Sequence, residues 1–198
     1  MKKKLTLTDI LVTIVIALIF SVIYKVWGPL YNILSVFGLH VDQLIYGMWF
    51  MAATIAFLII RKPGVALIAE LAAAQGGEFL FGGQWGGISL LLYGFVQGIG
   101  CEVVFALFKY KSYHLFIACL AAIGATIGSL FLDVFYGYID QLALWNLTLL
   151  IVARLIGAIV ITGVFAFYIV KALEKTGVTK IIRPLSADDY QSLEEEIR

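Results

Sequence analysis

Long apolar runs, broken by short polar connections, set the architecture of this chain. A membrane-crossing helix needs about 20 apolar residues, rising about 1.5 Å each, to cover roughly 30 Å of hydrocarbon. Six segments meet that pattern: Leu7–Trp27, Val41–Ile60, Pro63–Gly82, Gly86–Phe108, Tyr113–Phe135 and Trp145–Leu173. RKPG, GGQWGG and KYKS join the second to the third, the third to the fourth and the fourth to the fifth, connections so short that these helices must be antiparallel neighbours. The pattern predicts an all-α membrane protein, a six-helix transmembrane bundle over residues 1–175 followed by a cytosolic tail, residues 176–198. Gly28–His40 is too short to span and is expected at the membrane interface.

Composition agrees. Apolar residues make up 62% of the 198 and charged ones only 14%, far from the balance of a soluble domain. Ten of the charged residues fall within Glu174–Arg198, which leaves the spans nearly bare. A net charge of +1 argues against a nucleic-acid partner. The basic lead MKKK and the apolar run after it resemble a signal peptide. No small-residue cleavage site follows, so the run is read as a retained first span. Cys101 and Cys119 lie inside apolar segments and form no CxxC pair.

Basic residues near span ends predict orientation. Lys2–Lys4, Arg61, Lys62, Lys109, Lys111, Lys171 and Lys175 fall on one side, against Lys25 alone on the other, so both termini are expected in the cytoplasm. Gly94 and Gly98, Gly124 and Gly128, and Ala121, Ala125 and Ser129 recur at the four-residue spacing that lets membrane helices approach closely. Ala17 and Ser21 on the first span have the same spacing and are a candidate docking face for another subunit. In the tail, Ser186 and Asp189 form a capping-box-like helix start.

The chemistry lies in polar residues inside apolar runs. An ionisable group in hydrocarbon costs at least about 2.5 kcal/mol on insertion scales, so each marks a candidate site. Here they are Glu70, Glu78, Glu102, Asp133 and Arg154, with Gln75 and Gln97 as neutral companions. Glu70, Ala74 and Glu78 share one helix face, and Tyr93 shares a face with Gln97 on the next span. By helix rise Arg154 sits about 13 Å below the outer end of the last span, and Asp133 lies close to the outer surface. Buried charges must pair, so Glu70 and Glu102 are each expected either to pair with Arg154 or to orient a ligand, and Glu78 is left without a cation. Tyr46, Trp49, Trp85, Tyr93, Tyr136, Tyr138 and Trp145 gather on the outer side, where an aromatic belt accounts for most of them. Trp85, in the glycine-rich GGQWGG turn, is the least belt-like. Carboxylates beside aromatics suit a cationic aromatic ligand. No HExxH, GxSxG or phosphate loop is present, and His40 and His114 fall at opposite membrane surfaces, so neither catalysis nor a metal site is indicated.

The stretch RKPGVALIAELAAAQGGEFLFGGQWGG, followed by GFVQGIGCEVVFALFKYK, resembles the YkoE-type permeases, and the resemblance extends more loosely over nearly the whole chain. Its motif falls on Pro63, Gly64, Glu70, Glu78, Trp85, Gly94, Gln97, Gly98, Gly100 and Glu102. These permeases are S components of group I energy-coupling-factor (ECF) transporters, assigned to thiamine and its hydroxymethylpyrimidine precursor. The resemblance implies a six-helix S-component fold that captures its vitamin from outside. It also implies a transmembrane coupling subunit and ATP-binding-cassette ATPases as partners. The residues expected at the ligand are Glu78, Trp85, Gln97, Tyr93, Glu70, Glu102, Trp49 and Gln84, with no metal or cofactor. The competing expectation is a solitary ion-coupled carrier that uses the intramembrane carboxylates.

Overall fold

A computed structural model describes residues 4–82 and 87–181, and all their regular structure is helical. Gln84, Trp85 and most of the tail, including Ser186 and Asp189, lie outside the described residues. Helix α1 (Leu7–Ser35) starts at a capping box, in which the Thr6 hydroxyl and the Asp9 carboxylate satisfy each other's backbone N–H. A ten-residue 3₁₀ segment (Val41–Phe50) leads into α2 (Met51–Ile60). Then come α3 (Val65–Phe81), α4 (Gly87–Leu107) and α5 (Leu115–Phe135). The last crossing runs through α6 (Leu144–Ala158), a π-helical stretch (Ile159–Phe165) and α7 (Ala166–Lys175).

Among the described residues five helical stretches are long and apolar enough to cross a membrane: Leu7–Ser35, Val41–Ile60, Gly87–Leu107, Leu115–Phe135 and Leu144–Lys175. The segment expected as a third span, Pro63–Gly82, forms α3 with 17 residues. That is about 25 Å of helix. Its carboxylates and glutamine lower its hydropathy as well. Gly28–His40 also differs from expectation, since α1 runs on through Pro29 to Ser35 before the chain turns. The turn places Leu39 and His40 at positive φ, and the His40 ring meets Asn146 at 2.6 Å.

Every residue of α2 is buried, so this element is the axis around which the others pack. Small residues set the spacing. A Cβ on Gly124 would run into the Gly100 backbone, so α4 and α5 touch main chain to main chain. On the α1–α3 seam Ser21 donates to the Ala73 carbonyl at 3.1 Å and abuts Gly76. Ala17 and Ser21, the candidate docking pair, are therefore buried within the molecule, at 4% and 1% exposure.

At the end where the chain starts, Lys62 pairs with the buried Asp9, and Arg61 meets Glu174 at 2.9 Å while its guanidinium lies 4.1 Å over Tyr113. Glu102 belongs to this end. Its two oxygens accept the Gly64 N–H at 2.5 Å and the Leu67 N–H at 3.3 Å, capping α3 from the neighbouring helix.

Candidate functional site

A 3₁₀-helix turns every three residues, so side chains three apart stack in a column. In Val41–Phe50 that column is Gln43, Tyr46 and Trp49, and Tyr31 of α1 faces all three. Gln43 Nε2 donates to the Tyr31 hydroxyl at 2.5 Å, and the Tyr31 ring lies 6.1 Å from Tyr46 and 6.3 Å from Trp49, centroid to centroid. Both ring pairs are edge-on, the geometry that suits the charge distribution of aromatic faces.

Behind the column stands Arg154. Its Nε donates to Gln43 Oε1 at 2.7 Å, its Nη1 to Ser129 Oγ at 3.2 Å and to Asp133 Oδ2, and its guanidinium carbon lies 3.9 Å over the Tyr46 ring. Arg154 and Asp133 are 3% and 5% exposed. From α4, Tyr93 donates to the other Asp133 oxygen at 2.5 Å, and Gln97 Nε2 reaches the Tyr46 hydroxyl at 3.5 Å. A planar guanidinium with several donors can hold a carboxylate, an amide, a hydroxyl and a ring at once, which a lysine could not. The cluster ties α4, α5, α6 and the 3₁₀ segment together at mid-to-far depth.

Of the two alternatives for Glu70 and Glu102, pairing with Arg154 is thus excluded: the acid of Arg154 is Asp133. The side chains of a helix lean towards its N-terminus. For α6 that direction is the far end, where Asp133 closes α5. Glu102, capping α3 at the opposite end, is outside the cluster.

Glu70 sits one level below the cluster, fully buried, and accepts from the Tyr24 hydroxyl at 3.0 and 3.2 Å and from the Ala53 N–H at 3.3 Å. Tyr24 packs edge-on against Trp49 at 5.6 Å. Two turns further along α3, Glu78 is part-exposed, and its carboxylate has no hydrogen bond or ion pair among the described residues. Lys25 donates to the Gly82 carbonyl where α3 ends.

Of the residues singled out in the sequence, Tyr93, Gln97 and Trp49 come together, Glu70 adjoins them from below, and Gln84 and Trp85 fall outside the described residues. Gln43, Tyr31 and Tyr24 were missed, and Ser129, read as a packing position, also accepts from Arg154. The three-residue spacing of Gln43, Tyr46 and Trp49 was the visible signal for Gln43. Among the described residues no group of three or more His, Cys, Asp or Glu stands close enough to hold a metal ion.

Comparison with known proteins gives one consistent answer. Residues 8–128 match a family described as the ABC-type cobalt transport system, permease component. The HMP/thiamine permease named YkoE of Bacillus subtilis (strain 168) is similar at 33% identity over 177 residues, covering 89% of this chain and 88% of that protein. A crystal structure of an S component of an ECF transporter superposes with a TM-score of 0.86 at 30% identity, covering 98% of this chain and 96% of that one. With its helical bundle, its buried polar cluster and these relatives, the chain belongs to the YkoE-type permeases, the S components of ECF transporters.

Proposed function

We propose that this protein captures thiamine, or its hydroxymethylpyrimidine precursor, from outside the cell and delivers it inward when a transmembrane coupling subunit and ABC ATPases drive the cycle. In this reading α3 crosses the membrane as a sixth span, both termini are cytoplasmic, and the far end of the bundle faces outward. The distribution of Lys and Arg supports that orientation.

The observation that carries the ligand class is the wall of Tyr31, Tyr46 and Trp49, with Glu78 towards the C-terminal end of α3. Aromatic faces take a flat heterocycle and attract a cation. A part-exposed carboxylate with no described partner provides the counter-charge that a thiazolium requires. Gln43, Gln97 and Tyr93 bring the amide and hydroxyl groups that match an aminopyrimidine edge. Gln84 and Trp85 are retained from the sequence as further proposed ligand contacts, and Glu102 keeps its capping role in place of a ligand contact. The name of the matching family mentions cobalt; the aromatic wall is the observation that favours an organic ligand.

The test is calorimetric titration of the purified chain in detergent with thiamine and with hydroxymethylpyrimidine. Saturable one-to-one binding of either, at micromolar ligand or tighter, is the expected result. Heat of dilution alone for both compounds would overturn the assignment.

A further inference from the structure

The second crossing changes its winding at Phe50–Met51, and the change exposes backbone donors. The first N–H groups of an α-helix have no partner within it, and Phe50, the residue before α2, offers no side-chain cap. Deep in a bilayer such donors must be satisfied from elsewhere in the protein. Two side chains from other helices do so. Tyr24 of α1 accepts the Ala52 N–H at 3.2 Å, and Glu70 of α3 accepts the Ala53 N–H at 3.3 Å. Tyr24 in turn donates to Glu70. Glu70 is fully enclosed and forms no ion pair with a described Lys or Arg. What the carboxylate faces is the start of a helix, where the backbone dipoles favour a negative acceptor.

We propose that Glu70 is a positioning residue and does not touch the ligand. With Tyr24 it caps α2 across the bundle, fixes the change of winding at Phe50, and so keeps Gln43, Tyr46 and Trp49 in one column. If Val41–Phe50 wound as an α-helix, Trp49 would turn about 120° away from Gln43, since six residues make two full 3₁₀ turns but not two full α turns. Tyr24 joins cap and column directly, since its ring also packs on Trp49. The inference rests on reading that column as the ligand wall.

The experiment pairs titration of thiamine, a cation, and hydroxymethylpyrimidine, which is neutral, with amide hydrogen exchange over Tyr46–Phe57. Glu70→Gln keeps an acceptor oxygen, so both affinities should stay within about threefold of wild type and exchange should be unchanged, because the hydrogen bonds survive. Glu70→Ala removes the acceptor. Both affinities should then fall by about tenfold or more, and the Met51–Ala53 amides should exchange faster while α5 keeps its protection. A Glu70→Gln variant that loses thiamine but retains the pyrimidine would make Glu70 the ligand's counter-ion and overturn the proposal. So would Glu70→Ala with unaltered exchange. If Glu70→Ala does not fold, Tyr24→Phe should produce the same two shifts on a smaller scale, and no shift in either would overturn the cap. If the wild type binds neither compound, the vitamin reading fails and the exchange measurements alone decide on the cap.

Discussion

Arg154 of α6 and Asp133 of α5 form a buried ion pair that also carries the wall of the site: the arginine continues to Gln43 and lies over Tyr46, and the aspartate continues to Tyr93. One interaction therefore bears on stability and, in the proposed function, on binding.

Asp133→Asn should destabilise the protein by about 3–5 kcal/mol, the usual consequence of leaving one buried charge without its partner. Replacing both members, Asp133→Leu with Arg154→Met, should restore most of that loss while abolishing ligand binding, since Gln43 and Tyr46 lose their support. Thermal unfolding in detergent checks the first part and titration the second. If the double variant is as unstable as Asp133→Asn, the pair is not the coupled unit described here.

Glu78→Gln should weaken thiamine by tenfold or more, corresponding to the loss of about 1.5–3 kcal/mol for a charged contact, and leave the neutral pyrimidine nearly unaffected. Parallel titrations decide it. Equal losses for both compounds would mean that the carboxylate serves the loop or the fold and not the thiazolium.

Gly124→Ala should cost about 1–3 kcal/mol by overpacking, because its new methyl group would meet the Gly100 backbone. Ile127→Ala, at a lipid-facing position 62% exposed, should change stability little. The contrast in unfolding temperature between neighbours on one helix tests whether the α4–α5 seam is as tight as described.

Transport should need partners. In proteoliposomes containing this chain alone, imposed proton or sodium gradients should drive no thiamine accumulation, whereas adding the coupling subunit, the ATPases and ATP should. Uncoupler-sensitive uptake by the chain alone would favour the solitary ion-coupled carrier.

Much of the bundle is legible in the sequence because hydrocarbon leaves few choices: long apolar runs must be helices, and KYKS must be a turn. The winding of Val41–Phe50 is not legible, since VDQLIYGMWF has no proline and reads as one smooth apolar run into α2. The roles of Glu70 and Glu102 were hidden for a related reason. Both carboxylates answer backbone N–H groups at helix starts on other segments, a demand that exists only once those helices are placed beside them. Arg154 was visible as an anomaly. Its partner was misjudged because depth was measured to the Cα, while the side chain reaches most of a helical turn beyond it. The acids and aromatics announce a polar interior, but which of them share a level depends on crossings that no single segment encodes.

Helix α1 and its packing neighbour α3 differ greatly in height: 29 residues against 17, or about 43 Å against 25 Å. A bilayer cannot match both. With α3 as the proposed sixth span, it thins beside α3 while α1 leans or stands proud of the hydrocarbon. The overhanging part of α1 carries Gly28, next to Trp49, and Tyr31, against the 3₁₀ column. The proposed ligand wall would therefore rise to the level of the lipid headgroups on one side and dip with the membrane on the other. A charged vitamin would meet it at a notch in the bilayer surface without first leaving water, and acyl-chain length becomes a determinant of how open that notch is.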